Sequence, residues 1–163
     1  MRICAGRGGS EMTRAERAEE LFFEGYTCAQ SVVLAFADVT GVDEGVLRRL
    51  SAPFGGGMGR LREVCGAVSG MAMLLGLSRD WDTLDKEEKE TLYTKEREMA
   101  EQFRERAGSI VCRDLIAEHP HGDTHNSMKP YCRSLVGLAA SIVEESGIFA
   151  LPERDGAAKE KIL

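Results

Sequence analysis

The sequence predicts an all-α fold, a single-domain bundle of six or seven helices, and three observations predict it. Apolar residues recur at spacings of three and four along most of the chain, twice directly behind a helix-capping signature. Glycine or proline closes the periodic stretches. No stretch alternates apolar and polar residues over a useful strand length, and no repeat of fixed period is present. At 163 residues the chain is long enough for one full hydrophobic core.

Taken in order, residues 1–11 carry Gly6, Gly8 and Gly9 without a periodic face and are expected to form a flexible leader, with Cys4 incidental to it. The helical domain is expected over 12–150. Thr13 with Glu16 is a capping box that opens a helix bearing Ala15, Ala18, Leu21 and Phe22 on one face and ending at Gly25. Thr27 with Gln30 repeats the box, predicting a second helix from Cys28 to about Val39 with Gly41 as its stop. Asp43 can cap a third helix through Leu50, broken at Pro53.

The stretch from Phe54 to Leu77 comes next and organises the chain. A loop with Gly55, Gly56, Gly57 and Gly59 runs into an apolar helix of small residues, Gly66, Ala67, Gly70 and Ala72, with Cys65 at its entrance. Glycine costs about 1 kcal/mol relative to alanine inside a helix. Two of them four apart, on one face, make sense where another backbone or a cofactor comes close.

The longest helix is predicted over 83–107, with its charges on a solvated face and Leu92, Met99 and Phe103 turned inward. Ser109 can cap a short helix containing Cys112, which stops near His119 and Pro120. Pro130 suits a first helical position, which places Cys132 in the first turn of a last helix ending before Gly147. Residues 151–163 are expected to fray. The expected core draws on Phe36, Leu50, Leu74, Phe103, Leu115 and Leu138.

Charge and hydropathy narrow the functional classes. The net charge of −6, with acids and bases interleaved, argues against nucleic acid, whose phosphates need a concentrated basic surface. No apolar run approaches the roughly 18 residues of a membrane span. The N-terminus has no apolar core of a secretory signal, so the expected location is cytoplasmic. In a reducing cytosol thiols are metal ligands, redox groups or buried small hydrophobes rather than structural disulfides.

Position separates these roles. Cys28, Cys65, Cys112 and Cys132 each fall at a predicted helix start, where unpaired amides and the positive end of the dipole favour thiolate over thiol. Antiparallel neighbours send alternate helix starts to opposite ends of a bundle, so convergence of all four on one side would be informative, and it is the expectation on which function turns.

The layout Gly25-Tyr26-Thr27-Cys28-Ala29-Gln30-Ser31-Val32, Phe54-Gly55-Gly56-Gly57-Met58-Gly59, Cys65-Gly66-Ala67-x-x-Gly70, Cys112-Arg113-x-Leu115-Ile116 and Cys132 resembles the C_GCAxxG_C_C family from about residue 14 to 147. The chain departs from the family pattern in having Val64-Cys65-Gly66-Ala67 where the family name writes Gly-Cys-Ala. The resemblance implies a redox-active role through the cysteines and brings no substrate with it.

Three readings of the residues stand side by side. In the first, Cys28, Cys65, Cys112 and Cys132 carry thiol–disulfide or electron-transfer chemistry with a redox partner protein. In the second, the same four cysteines ligate zinc or an iron–sulfur cluster, with Gly55, Gly56, Gly57, Gly59 and Gly66 presenting amides to it. In the third, the cysteines are packing residues of a bundle that binds through helix faces. No Cys-x-x-Cys or Cys-x-x-Cys-His is present, which sets aside a thioredoxin motif and covalent haem. The glycine loop lacks the Gly-Lys-Ser/Thr of a phosphate loop, and no Gly-x-Ser-x-Gly hydrolase signature exists. His119, His121 and His125 cluster between Cys112 and Cys132, where an imidazole could serve a thiol as proton shuttle or simply face solvent. The Gly66/Gly70 face would also suit close docking in a homodimer.

Overall fold

The computed structural model describes residues 11–81, 85–119 and 129–150. The leader before residue 11 with Cys4, the predicted helix start at Thr83, His121, His125 and the tail beyond 150 lie outside the described residues. Within them the chain is all-α: α1 (Arg14–Glu24), α2 (Cys28–Leu34), α3 (Ala37–Thr40), α4 (Glu44–Ser51), a 3-10 turn at Ala52–Phe54, α5 (Gly55–Met58), α6 (Gly66–Leu77), α7 (Lys86–Ala107), α8 (Cys112–Ala117) and α9 (Lys129–Ser146). The single turns α3 and α5 aside, the helices number seven among the described residues, within the range the periodicity predicts.

Local chemistry sets the helix ends. Both capping boxes form: Thr13 Oγ1 accepts from the Glu16 amide at 3.1 Å and the Glu16 carboxylate accepts from the Thr13 amide at 2.8 Å. Thr27 and Gln30 do the same at 3.3 and 3.0 Å. Gly25 closes α1 in the left-handed conformation, as the C-cap position favours. Asp43 caps α4 through the Val46 amide.

The helix predicted to run unbroken to Val39 instead breaks after Leu34. A continuous helix would pair the Ala35 carbonyl with the Val39 amide, but Val39 turns to the Phe36 carbonyl at 3.0 Å. The freed Ala35 carbonyl accepts from the Arg14 guanidinium at 2.8 Å, and that guanidinium also lies over the Phe36 ring. A tertiary contact from α1 thus ends α2. The long helix likewise starts later than predicted: the Asp85 carboxylate accepts from the Glu88 amide and fixes the start at Lys86.

The core lies between α1, α2, α6 and α9, with α1 along α9 and α2 along α6. Helix α6 is apolar on all sides, as befits a helix surrounded by others, and buries Val68, Met71, Leu74 and Leu75. Phe36, Leu74, Phe103 and Leu115 are core residues as predicted, and Leu138 is half-buried against them. Leu50 is not, at 64% exposure. The inward arc of α4 centres between Leu47 and Ser51, and at 3.6 residues per turn Leu50 stands about 80° away from it. The buried Ser31 and Ser51 hydroxyls donate to the Thr27 and Leu47 carbonyls of their own helices. No described helix is long and apolar enough to cross a membrane.

The chain between α4 and α6 leaves ordinary backbone geometry. Gly56, Gly57, Met58, Gly59, Arg60 and Arg62 all have φ between 58° and 68°, a left-handed winding. Each non-glycine residue there carries a cost of about 1–2 kcal/mol. The turn is held by Gly59 N–H to the Pro53 carbonyl at 2.8 Å and by Glu63 N–H to the Gly57 carbonyl at 3.1 Å.

The small residues of α6 do not act alike. A Cβ at Gly70 would stand 2.9 Å from Val32 Cβ and 3.2 Å from the Ala29 carbonyl, whereas one at Gly76 would meet nothing within 4 Å. Gly70→Ala is expected to cost about 1–3 kcal/mol by pushing α2 off α6. Gly76→Ala, in an exposed turn of the same helix, is expected to stabilise by up to about 1 kcal/mol. Urea unfolding of the two variants beside the parent checks both signs.

Candidate functional site

The four cysteines reach one place by separate routes. Cys28 is the first residue of α2, directly behind the Thr27 capping box. Cys65 is the N-cap of α6, and Cys112 the first residue of α8. Cys132 lies in the first turn of α9. Cys65 and Cys112 are set in register by a short antiparallel bridge between Val64 and Val111. In it the Cys65 amide donates to the Ile110 carbonyl at 2.8 Å and the Cys112 amide to the Glu63 carbonyl at 2.6 Å. The bridge explains why α8 starts at Cys112 rather than behind Ser109. Val111 is held extended, and the carbonyls of Arg62 and Glu63 take the first amides of the helix. Ser109 instead accepts from the Val111 amide and donates to Asp114.

All four cysteines line a single cavity of about 900 Å³. One wall is the glycine loop, with Gly55, Gly56, Gly57 and Gly59, and Gly66 closes it at the foot of α6. Two of these glycines are required by the sulfur-bearing residues. A Cβ at Gly57, where φ is +68°, would stand 2.7 Å from Cys112 Cβ and 2.9 Å from the Glu63 amide. A Cβ at Gly66 would stand 2.7 Å from the Phe54 carbonyl and 3.0 Å from Cys28 Cβ. The Gly56 amide points at the Cys28 sulfur. Of the loop glycines, then, Gly56 presents an amide to sulfur, while Gly57 and Gly66 provide clearance.

The thiols are not equivalent. Cys28 and Cys132 are each the strongest influence on the other's acidity. Cys132, with burial, holds the Cys28 pKa well above the usual thiol value. Cys28 in turn lowers the Cys132 pKa below the usual value against the opposing effect of burial, with the Arg62 charge assisting. Burial pushes Cys65 up to about 12 even though the Ala67 and Val68 amides pull the other way. Burial also raises Cys112, opposed by the Arg62 guanidinium, whose Nη1 lies 3.8 Å from its sulfur. A helix start alone would favour thiolate at all four; at Cys65 and Cys112 burial outweighs it, and of Cys28 and Cys132 only Cys132 is more acidic than an ordinary thiol.

Two other groups of residues belong to the picture. His119 lines the same cavity, exposed at its edge, with its ring 3.6 Å from that of Tyr131, the neighbour of Cys132. The loop sequence Gly-Arg-Leu-Arg carries Arg60 and Arg62 into the cavity lining, residues that periodicity and spacing do not single out. Their only sequence signal is two cations in a glycine-rich loop with no acid before Glu63.

As a metal centre the donor set fits less well. Tetrahedral zinc needs four sulfurs each about 2.3 Å from the ion. Among the described residues no three His, Cys, Asp or Glu side chains are arranged to hold one ion.

The difference in acidity has a direct chemical readout. Alkylation requires thiolate, so its rate rises as pH climbs through each thiol's pKa. Cys132 is expected to react with iodoacetamide first, with a rate midpoint below that of a free thiol, and Cys65 last. Cys28→Ala, which removes the largest influence on Cys132, is expected to move the Cys132 midpoint upward and slow its alkylation at pH 7. Peptide mapping after timed labelling checks the order.

The family described as "Putative redox-active protein (C_GCAxxG_C_C)" matches residues 26–146, a span that opens just before Cys28, closes on the last residue of α9 and takes in all four cavity cysteines. No curated protein and no solved structure matches the chain. With most of its length matched, the chain belongs to the C_GCAxxG_C_C family.

Proposed function

We propose that the protein is a dithiol–disulfide redox protein in which Cys28 and Cys132 form the exchanging pair. The observation that carries this reading is the convergence of four free thiols on one cavity, in which Cys28 and Cys132 most strongly shift each other's acidity in opposite directions. Exchange chemistry needs one thiol more acidic than its partner. Cys132, partly accessible and with lowered pKa, is the attacking sulfur. It forms a mixed disulfide with one sulfur of a substrate disulfide, and the other sulfur leaves as thiolate. Cys28 then gives its proton to the departing group and attacks the Cys132 sulfur, releasing the second half of the substrate. Two electrons pass from the protein to the substrate, and a Cys28–Cys132 disulfide remains.

Cys112 and Cys65 line the same cavity. Cys112 stands near enough to Cys132 for their charges to interact and is held by Arg62, so it is the next thiol to which a disulfide on Cys132 could pass.

Thiol counting tests the assignment. Reduced protein treated with stoichiometric diamide is expected to lose two of its five cysteine thiols and to stay monomeric by mass. Cys65→Ser and Cys112→Ser should still lose two, whereas Cys132→Ser should form no intramolecular bond and Cys28→Ser only a slower one between Cys132 and Cys112. Loss of the same two thiols in the Cys132→Ser variant would remove the pair from its role.

A further inference from the structure

Among the described residues, those lining the cavity differ in charge from the chain as a whole. The chain has 27 acidic and 21 basic residues, yet the described residues lining the cavity include Arg60, Arg62 and Arg113 and no Asp or Glu. Arg113 is paired with Glu63. Arg60 and Arg62 have no carboxylate partner among the described residues, while arginines on the helices, such as Arg14, Arg48 and Arg106, are ion-paired.

Their placement is specific. A Cβ built on Gly56 would lie 2.9 Å from Arg60 Cγ and 3.9 Å from Arg62 Nη1, so both side chains pass over the residue whose amide points at the Cys28 sulfur. Arg62 also reaches Cys112 Sγ at 3.8 Å. Both arginines stand in left-handed backbone, at φ +67° and +61°, where glycine or asparagine would rest more easily. Strain of this kind persists where the surroundings impose it and gathers at functional sites.

We propose that this cavity takes a low-molecular-weight disulfide bearing carboxylates, with Arg60 and Arg62 holding the carboxylates while the disulfide bond meets Cys132. The inference rests on the dithiol reading above and names the substrate class for it. A guanidinium matches a carboxylate through two parallel N–H···O bonds, which lysine cannot reproduce. A volume of about 900 Å³ is that of a small-molecule pocket. The reaction is the exchange already described: Cys132 thiolate, Cys28 thiol and RSSR give the Cys28–Cys132 disulfide, one RSH and one RS⁻. The protein is oxidised and the small disulfide reduced, in a single turnover that calls for no further reagent.

Three disulfides of similar size and different charge test it: 3,3′-dithiodipropionate (anionic), 2-hydroxyethyl disulfide (neutral) and cystamine (cationic). Each is mixed with fully reduced protein, and loss of the Cys28 and Cys132 thiols is followed by quenched alkylation and mass spectrometry. The anionic disulfide is expected to react at least about tenfold faster than the cationic one once each rate is divided by that for a free small thiol. Arg60→Gly with Arg62→Gly, a change that suits left-handed backbone, should bring that ratio close to one, and Arg60→Lys with Arg62→Lys should restore it only in part. Because the readout is a ratio, any change in Cys132 acidity on losing Arg62 cancels. Equal ratios in parent and glycine variant would overturn the anionic-substrate inference and leave the dithiol pair standing. Failure of all three disulfides to oxidise Cys28 and Cys132, with a protein disulfide succeeding, would overturn it in favour of a macromolecular partner. Failure of every disulfide would defeat the dithiol reading itself.

Discussion

Between Gly56 and Arg62 the backbone turns left-handed at nearly every residue, and the surroundings of Cys28, Cys65 and Cys112 depend on that path. The turn lays Gly57 against Cys112 at a separation no Cβ would allow, and it passes Gly56 over Cys28. It then delivers Arg62, Glu63 and Val64 in the direction that lets them pair with the segment before Cys112. Glycine at the tightest points makes the turn possible, but Met58, Arg60 and Arg62 pay a conformational cost to complete it. Packing against α2, α6 and α8 is what holds them there.

With the loop fixed, the helix starts can share one end of the bundle despite the tendency of neighbours to alternate. The bridge at Val64 and Val111 sets α6 and α8 with their N-termini side by side. Helix α2 enters from the opposite wall, tied down by the Thr27 capping box and by Gly66 and Gly70 on α6. Helix α9, which packs along α1, brings in Cys132. The cavity is thus a meeting of four chain segments far apart in sequence. Its electrostatics follow from burial and from the effect of one thiol on another more than from the helix ends themselves.

Much of the fold was legible because its determinants are local. Thr13 with Glu16, Thr27 with Gln30 and Gly25 each act within a few residues, and the chain reads them directly. The break at Ala35 was hidden because its cause, the Arg14 guanidinium, comes from another helix. Leu50 misled because an arc on a short helix can be misjudged by a fraction of a turn, enough to leave a leucine in solvent. At the candidate site, the sequence put each cysteine at a helix start but drew attention to Cys65, at the mouth of the small-residue helix. Which thiol shifts which is a tertiary fact, and the strongest mutual effect falls between Cys28 and Cys132. The arginines escaped notice for a related reason: their meaning lies in the lack of carboxylate partners among the described residues, and no local pattern records that.

The central claim is that Cys28 and Cys132 exchange two electrons as a pair. Equilibration of the protein in dithiothreitol buffers of graded potential, followed by acid quench and peptide mapping, tests it most directly. The account predicts one transition with a two-electron slope and a single Cys28–Cys132 cross-link in the oxidised form. A different cross-link, or four thiols that stay reduced across the whole range, would contradict it.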